Sequence, residues 1–171
     1  MTDTHMQDAV KRINEAKERG KIGVDLFGLE IQEIPRKLLE LADTLKWLEL
    51  SNTKVTDISP LANLTNLKLL ILRETNVSDI SPLADLTKLI ALYLWETGVS
   101  DISLLANLKN LKWLYLGKTK VSDISSLANL TNLEKLDLFG CPLVESAANI
   151  QTLEKLRENG CKIYGVEEFM K

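Results

Sequence analysis

Leucine recurs along most of the chain at a fixed spacing. Five units of 22 residues begin at Leu45, Leu67, Leu89, Leu111 and Leu133, and each unit carries leucine again at its fourth and sixth positions. Side chains alternate between the two faces of a strand, so these two leucines share one face of a short strand and the residue between them points to the other. The regular period indicates a solenoid, in which each unit buries its apolar face against its neighbours.

The second half of each unit returns the chain to the next strand. A full unit reads LxxLxLxxTxVxDIsxLAxLtx, and its valine, isoleucine and leucine columns extend the predicted core. Serine precedes each return turn and Pro60 and Pro82 follow it in two units, so we expect serine at the N-cap and proline at the first helical position. The aspartate column is predicted to accept backbone N–H groups of the turn rather than to bind a cation. Its members are Asp57, Asp79, Asp101 and Asp123.

The units resemble the leucine-rich repeat family, specifically its 22-residue class with internalin-like repeats. The leucine spacing carries the resemblance, most clearly in DISPLANLTNL at 57–67 and DISPLADLTKL at 79–89. The resemblance implies an α/β repeat fold, a right-handed solenoid with a parallel β-sheet on its concave side, short 3-10 or α turns on its convex side, and helical caps. It also implies a bacterial protein that binds a protein or peptide partner.

One column departs from the pattern of that family. Most members carry asparagine at the ninth position of the unit, where the side chain hydrogen-bonds the backbone of adjacent coils. This chain carries threonine there and then Cys141, so we expect the bonding between coils to be less complete. The threonines are Thr53, Thr75, Thr97 and Thr119.

The chain divides into three predicted parts. Residues 1–21 form an N-terminal helical cap, with Gly20 placed to end the helix. Residues 22–144 are the repeats, one degenerate 24-residue coil and then five 22-residue units. Residues 145–171 form a C-terminal cap, a helix capped by Ser146 followed by a final strand. We therefore expect a complete, capped domain.

Each cap has an apolar face that we expect to cover the core. In the N-terminal helix this face consists of Met6, Ala9, Val10, Ile13 and Ala16. In the C-terminal cap it consists of Ala147, Ile150, Leu153 and Leu156 on the helix, with Cys161 and Ile163 on the final strand.

The outward positions of the strands carry most of the aromatic residues. Seven of the nine aromatic side chains fall there, namely Phe27, Trp47, Tyr93, Trp95, Trp113, Tyr115 and Phe139. Half-exposed, seven such rings would present on the order of 500–800 Å² of apolar surface, which approaches the roughly 800 Å² that one partner contributes to a standard interface. We interpret this surface as a binding face, and the alternative is that the rings only shield one another. The predicted contact residues are Trp47, Glu49, Ile71, Arg73, Tyr93, Trp95, Glu96, Trp113, Tyr115, Lys118 and Phe139.

Charge on the same face is segregated. Acidic side chains lie toward the N-terminal coils and lysines toward the C-terminal coils, with Arg73 and Asp137 as exceptions. An extended partner of opposite polarity would be steered into one orientation on such a face. The trend rests on Asp25, Glu49, Glu74 and Glu96 against Lys118 and Lys135.

Composition argues against other functional classes. The net charge is -3 and no basic block occurs, so we expect no nucleic-acid partner. No stretch of 18 apolar residues or secretory signal is present, so we expect no membrane span and a cytoplasmic location. His5, the only histidine, is placed in a disordered tail, and no phosphate-binding glycine motif occurs. We therefore predict no metal, no cofactor and no enzymatic activity, and we expect both cysteines to be reduced thiols.

A second reading of the chain assigns it a structural or assembly role. In that reading the aromatic face mediates self-association, or the chain is the repeat arm of a larger multidomain protein. We expect a monomer or weak self-association in solution.

Overall fold

Each repeat contributes one strand of three residues and one short return segment. The computed structural model describes residues 2–166. Helix α1 spans Thr2–Glu18 and α2 spans Ala147–Glu158. The strands are β1 Gly23–Asp25, β2 Trp47–Glu49, β3 Leu69–Ile71, β4 Ala91–Tyr93, β5 Trp113–Tyr115, β6 Lys135–Asp137 and β7 Lys162–Tyr164. Turns of 3-10 helix span Arg36–Leu41, Ser59–Asn63, Ser81–Leu83, Ser103–Asn107 and Ser125–Asn129.

The strands form one sheet in sequence order, and every neighbouring pair is parallel. Equivalent positions of consecutive units pair directly, so Leu48 lies beside Leu70, which lies beside Leu92. The fourth- and sixth-position leucines of all five units are completely buried. The predicted solenoid of α/β repeats is confirmed, with the core between the sheet and the return segments.

The return turns begin differently from the prediction. Isoleucine, not serine, occupies the N-cap of the four turns that begin with serine, and no side chain caps them. The serine is the first residue of the 3-10 turn, and its N–H donates to the aspartate two residues earlier, as Ser59 does to Asp57 at 2.7 Å. The predicted role of the aspartates is confirmed at Asp57, Asp79, Asp101 and Asp123. The hydrogen bond from the serine N–H is the main cause of the lowered pKa of Asp57, Asp101 and Asp123.

The threonine column bonds within its own coil. Thr53 Oγ1 donates to the carbonyl of Leu50 at 2.8 Å, and Thr75 and Thr97 repeat the contact. At these three residues the hydroxyl bonds to its own coil, which agrees with the expectation of less complete bonding between coils. Cys141 does reach the preceding coil, because its Sγ lies 3.1 Å from the Leu116 carbonyl.

Helix α1 covers the first coil. Ala9, Ile13 and Ala16 are buried as predicted, whereas Val10 is only partly buried at the edge of the contact. The helix ends before Gly20, which has a φ of 59°. His5 lies within this helix, so its assignment to a disordered tail was wrong. Neither α1 nor α2 is long and apolar enough to cross a membrane.

Helix α2 packs on the return turn Ser125–Asn129 of the preceding coil and buries a polar residue of its first turn. Ser146 caps the helix as predicted, its Oγ accepting the Asn149 N–H at 3.2 Å. The predicted apolar face is partly wrong, because Ala147 is exposed and Ile150 only half-buried, while Asn149 is completely buried. Asn149 Oδ1 accepts the Ile124 N–H at 2.9 Å, and Nδ2 donates to two carbonyls. The amide therefore joins the cap to the preceding coil.

We expect Asn149→Ala to lower the free energy of unfolding by about 3 kcal/mol, because the buried Ile124 N–H loses its partner and the Ser122 and Val144 carbonyls each lose one of two donors. Asn132→Ala is the matched control, since Asn132 makes a single exposed hydrogen bond to the Lys109 carbonyl. Urea unfolding monitored by circular dichroism measures both. Equal effects of the two substitutions would contradict the structural role of Asn149.

Candidate binding face

The outward side chains of the sheet form a surface of three parallel rows, here called the sheet face. Parallel pairing in register places equivalent positions side by side, and the backbone ladder continues past the strands, for example from the Asn52 N–H to the Arg73 carbonyl at 2.9 Å. The third-position row is Gly23, Trp47, Leu69, Ala91, Trp113, Lys135 and Lys162. The fifth-position row is Asp25, Glu49, Ile71, Tyr93, Tyr115, Asp137 and Tyr164. The seventh-position row is Phe27, Ser51, Arg73, Trp95, Gly117 and Phe139.

Two tryptophans lie across the sheet over a glycine of the neighbouring coil. A Cβ atom at Gly117 would clash with the Trp95 indole, and one at Gly23 would clash with the Trp47 indole. Gly117 and Gly23 are buried for this reason, although both are at outward positions. The indoles therefore present a face and an edge to solvent while covering backbone beneath them.

Tyr93 and Tyr115 stack on one another across neighbouring strands. Their ring centroids are 4.4 Å apart and their planes differ by 6°. Burial raises the pKa of the Tyr93 hydroxyl, and the Tyr115 hydroxyl beside it raises the pKa further. The alternative of mutual shielding is thus partly correct for this pair, because each ring covers one face of the other.

Two adjoining pockets open beside the stacked tyrosines. The aromatic pocket, of about 300 Å³, is lined by Arg73, Tyr93, Trp95, Tyr115 and Asp137. The distal pocket, of about 370 Å³, is lined by Tyr115, Lys135, Asp137 and Tyr164. Because Tyr115 and Asp137 line both, the pockets form one groove that runs across the strands toward β7.

Charged groups surround the aromatic pocket, and only some of them are paired. Lys118 Nζ lies 4.3 Å from the centre of the Trp95 ring and 3.5 Å from Glu96 Oε2. Asp137 Oδ1 accepts the Phe139 N–H at 2.9 Å, which fixes the orientation of the carboxylate. Among residues 2–166, neither Arg73 nor Asp137 forms a salt bridge. The aromatic pocket therefore holds one cation and one anion that form no salt bridge within the described part of the chain, and Lys135 adds a second cation in the distal pocket.

The eighth position of every coil has left-handed backbone geometry. Gly28 and Gly140 take it at the two ends with a φ of 70°, but the four coils between them place Asn52, Glu74, Glu96 and Lys118 there, with φ between 55° and 57°. A residue with a Cβ pays a steric cost in this region that glycine avoids. The central coils thus retain long charged side chains at the rim of the aromatic pocket despite local strain, a feature that functional sites often show.

The predicted contact residues are distributed unevenly over the sheet face. Arg73, Tyr93, Trp95 and Tyr115 line the aromatic pocket, with Glu96 and Lys118 at its rim. Ile71 is half-buried beside Tyr93, and Trp113 and Phe139 are exposed. Trp47 and Glu49 lie two strands away from Tyr93, and Glu49 Oε1 accepts the Ser51 N–H at 2.6 Å.

Three residues of the groove are missing from the predicted contact residues, namely Lys135, Asp137 and Tyr164. Lys135 and Asp137 enter the sequence analysis only through the charge trend, and Tyr164 belongs to the cap rather than to a regular unit. Tyr164 pairs with Asp137 in the sheet register and is 48% exposed. Side chains alternate between the two faces of a strand, so an inward Ile163 predicts that Tyr164 beside it points outward.

Catalytic chemistry has little support in the described part of the chain. No group of three or more histidine, cysteine, aspartate or glutamate side chains suited to a metal occurs in residues 2–166. Burial raises the pKa of the Cys141 thiol, and raises that of Cys161 to about 11. Both groups are therefore protonated near neutral pH and are poor nucleophiles.

The chain forms a single parallel sheet from units in register, and the outward face of that sheet varies from unit to unit. These features define a repeat protein of the solenoid class. Residues 43–85 and 109–157, together more than half of the chain, match the family model described as leucine-rich repeats in two copies. The chain belongs to the leucine-rich repeat family. Proteins of this family generally mediate protein–protein interactions.

Three solved structures with the same fold come from bacteria. An internalin, inlF, of Listeria monocytogenes is 27% identical with a TM-score of 0.71, and the match covers 92% of this chain and 54% of that protein. The internalin C2 of the same organism is 22% identical with a TM-score of 0.60, covering 96% and 88%. A leucine-rich repeat protein of Leptospira interrogans is 24% identical with a TM-score of 0.62, covering 78% and 40%. The latter two show the fold alone, and a comparison with curated protein sequences finds no match.

We expect Gly117→Ala to displace the Trp95 indole, because the added Cβ overlaps the ring, and to lower the free energy of unfolding by about 1 kcal/mol. The Trp95 indole N–H resonance in a ¹H–¹⁵N correlation spectrum reports the displacement. Gly98→Ala is the control, because its Cβ would lie 3.3 Å from Ser78 Cβ and far from any indole. An unchanged Trp95 resonance in Gly117→Ala would contradict the packing described here.

We expect Glu74→Gly to raise the free energy of unfolding by about 0.5–1 kcal/mol, because relief of left-handed strain exceeds the entropic cost of glycine. Lys120→Gly is the control, since Lys120 is exposed and is not among the residues with left-handed backbone geometry. It should lower the free energy of unfolding by about 0.5–1 kcal/mol. Urea unfolding measures both, and a loss of stability in Glu74→Gly would contradict the strain.

Proposed function

We propose that this protein is a non-enzymatic binding module that recognises a protein or peptide partner through the sheet face, with the aromatic pocket at the centre of contact. The observation that carries the proposal is the groove of stacked and half-buried rings between Arg73 and Asp137. Tryptophan, tyrosine and arginine are the residues most enriched at the energetic centres of protein interfaces. The pocket combines all three.

Contrast between the two faces of the sheet supports the proposal. The inward leucine columns are uniform, because every unit must fill the same space in the core. The outward rows differ from unit to unit although each strand has the same backbone geometry. Packing within the solenoid requires no such variety, whereas recognition of an irregular partner does.

The rigidity of the face also supports binding. Trp95 lies against Gly117, and Tyr93 against Tyr115, so these rings are ordered before a partner arrives. A side chain that is already held in place loses little conformational entropy on association. The aromatic pocket is therefore suited to bind without rearrangement of its walls.

We expect Trp95→Ala and Tyr115→Ala to weaken partner binding by about 30-fold or more, the effect of losing a residue at the energetic centre of an interface. Affinity capture from a lysate of the source organism, followed by titration of the captured partner, measures the effect. The midpoint of thermal unfolding should fall by only a few degrees, because Leu94 and Leu116 beneath the rings stay in place. Leu39→Ala is the control, an exposed apolar residue in the return turn Arg36–Leu41. A large fall in the unfolding midpoint with unchanged capture would instead favour mutual shielding of the rings.

Self-association through the same face makes a different prediction for the isolated chain. Its sedimentation coefficient would rise with concentration, and Trp113→Lys would abolish the rise, because a charge would then face the apolar surface of the second copy. A concentration-independent monomer in both proteins supports binding of a different partner.

A further inference from the structure

We infer that the groove takes an extended peptide segment carrying a carboxylate and a basic side chain on one face, with an apolar side chain between them. This inference rests on the proposed function and specifies the chemistry of the partner. The carboxylate would meet Arg73, the basic group would meet Asp137, and the apolar side chain would enter the aromatic pocket.

The two charges belong to one pocket although their strands are far apart. Arg73 follows β3 and Asp137 ends β6, three strand spacings or about 14 Å along the sheet. Both side chains nevertheless line the aromatic pocket. One end of the pocket is therefore positive and the other negative, with Tyr93, Trp95 and Tyr115 between them.

Both charges are available to a ligand. The backbone N–H of Arg73 donates to Ser51 Oγ at 3.0 Å, which positions the backbone and leaves the guanidinium to project over the face. At Asp137, Oδ1 is engaged by the Phe139 N–H, and the second oxygen, Oδ2, lies on the side of Gly117 and the Trp95 indole. A basic group reaching Oδ2 would thus also lie against an aromatic ring, an arrangement that favours cations.

The other charged groups near the aromatic pocket do not remove this polarity. Lys135 lines the distal pocket with Asp137 but not the aromatic pocket. Lys118 and Glu96 pair with each other at 3.5 Å, so their charges largely cancel at the rim. The exceptions to the charge trend along the sheet face, Arg73 and Asp137, are the two charges inside the pocket. The pocket is positive toward the N-terminal coils and negative toward the C-terminal coils, which is opposite to the charge trend of the surrounding sheet face. A partner must match the charges of the pocket and those of the face.

The dimensions favour a peptide running across the strands. An extended chain advances about 3.3–3.5 Å per residue, so about four residues span the distance between the two strands. Side chains at the first, third and fifth residues of such a segment point to the same side. A pocket of about 300 Å³ is at the small end of ligand sites, which suits one apolar side chain rather than a larger molecule. A second copy of the chain fits poorly, because the inner face of a solenoid curves away from a flat surface.

The test uses the whole protein and four synthetic peptides. The probe is acetyl-Ser-Glu-Thr-Leu-Thr-Arg-Ser-amide, and three variants replace Glu by Gln, Arg by Gln, or both. Titrations are followed by the Trp95 indole N–H resonance. Because exposed ion pairs contribute modestly, we expect each replacement in the peptide to weaken binding roughly fivefold and the double replacement to weaken it most.

Two substitutions in the protein connect each charge to its site. Arg73→Gln should weaken binding of the probe about fivefold and abolish the difference between the Glu and Gln peptides, while the preference for Arg over Gln stays. Asp137→Asn should also weaken binding of the probe, but it should abolish the difference between the Arg and Gln peptides while the preference for Glu over Gln stays. The amide oxygen of the new side chain can still accept the Phe139 N–H. The controls are Lys120→Gln and Asp123→Asn. Asp123 accepts the Ser125 N–H at 2.8 Å in the same way as Asp137 accepts that of Phe139, but it lies in a return segment.

The inference is overturned if the four peptides bind equally, or if the preferences persist unchanged in Arg73→Gln and Asp137→Asn. It is also overturned if none of the peptides binds while Trp95→Ala still abolishes capture of a partner, a result that leaves the proposed function intact. If Trp95→Ala and Tyr115→Ala leave capture unchanged, the proposed function itself is wrong. If the sedimentation coefficient rises with concentration and Arg73→Gln abolishes the rise, the groove binds a second copy of the chain. The inference of a peptide ligand is then wrong.

Discussion

The burial of leucine columns in an unbroken parallel register determines every other feature of this protein. A strand of three residues makes too few hydrogen bonds and buries too little apolar area to be stable alone. Stacked on their neighbours, strands β2 to β6 place their central leucines in a column with no exposure to solvent. Because the column cannot slip without exposing leucine, the outward residues are held at fixed spacings on a rigid support.

The architecture of the repeats could be predicted because a strict leucine spacing has few structural solutions. Prediction was weaker where an element depends on contacts from another coil. Asn149 was overlooked because a polar residue in an amphipathic helix normally faces solvent, and its burial follows only from groups of the preceding coil that need its amide. The serine caps were misplaced by one position, because isoleucine precedes each turn and the aspartate before it already accepts the first N–H of the turn, that of the serine.

The sheet face was predictable as a surface but its pocket was not. Alternation assigns Tyr93, Trp95 and Tyr115 to the outward side without information from distant residues. The pocket depends on the direction in which each ring leans, and Trp95 leans because Gly117 leaves room in the next coil. Asp137 became part of the site only when the structure showed that its carboxylate and the side chain of Arg73 line the same cavity.

The groove is assembled from units that are interchangeable in the core. Arg73 and Asp137 are separated by β4 and β5, and both of these strands belong to complete units of the same length. Duplication of one whole unit between them would leave every leucine column intact while moving the two charges about 4.8 Å further apart. Gain or loss of one whole repeat would therefore change the spacing of these two charges, with no compensating change in the core.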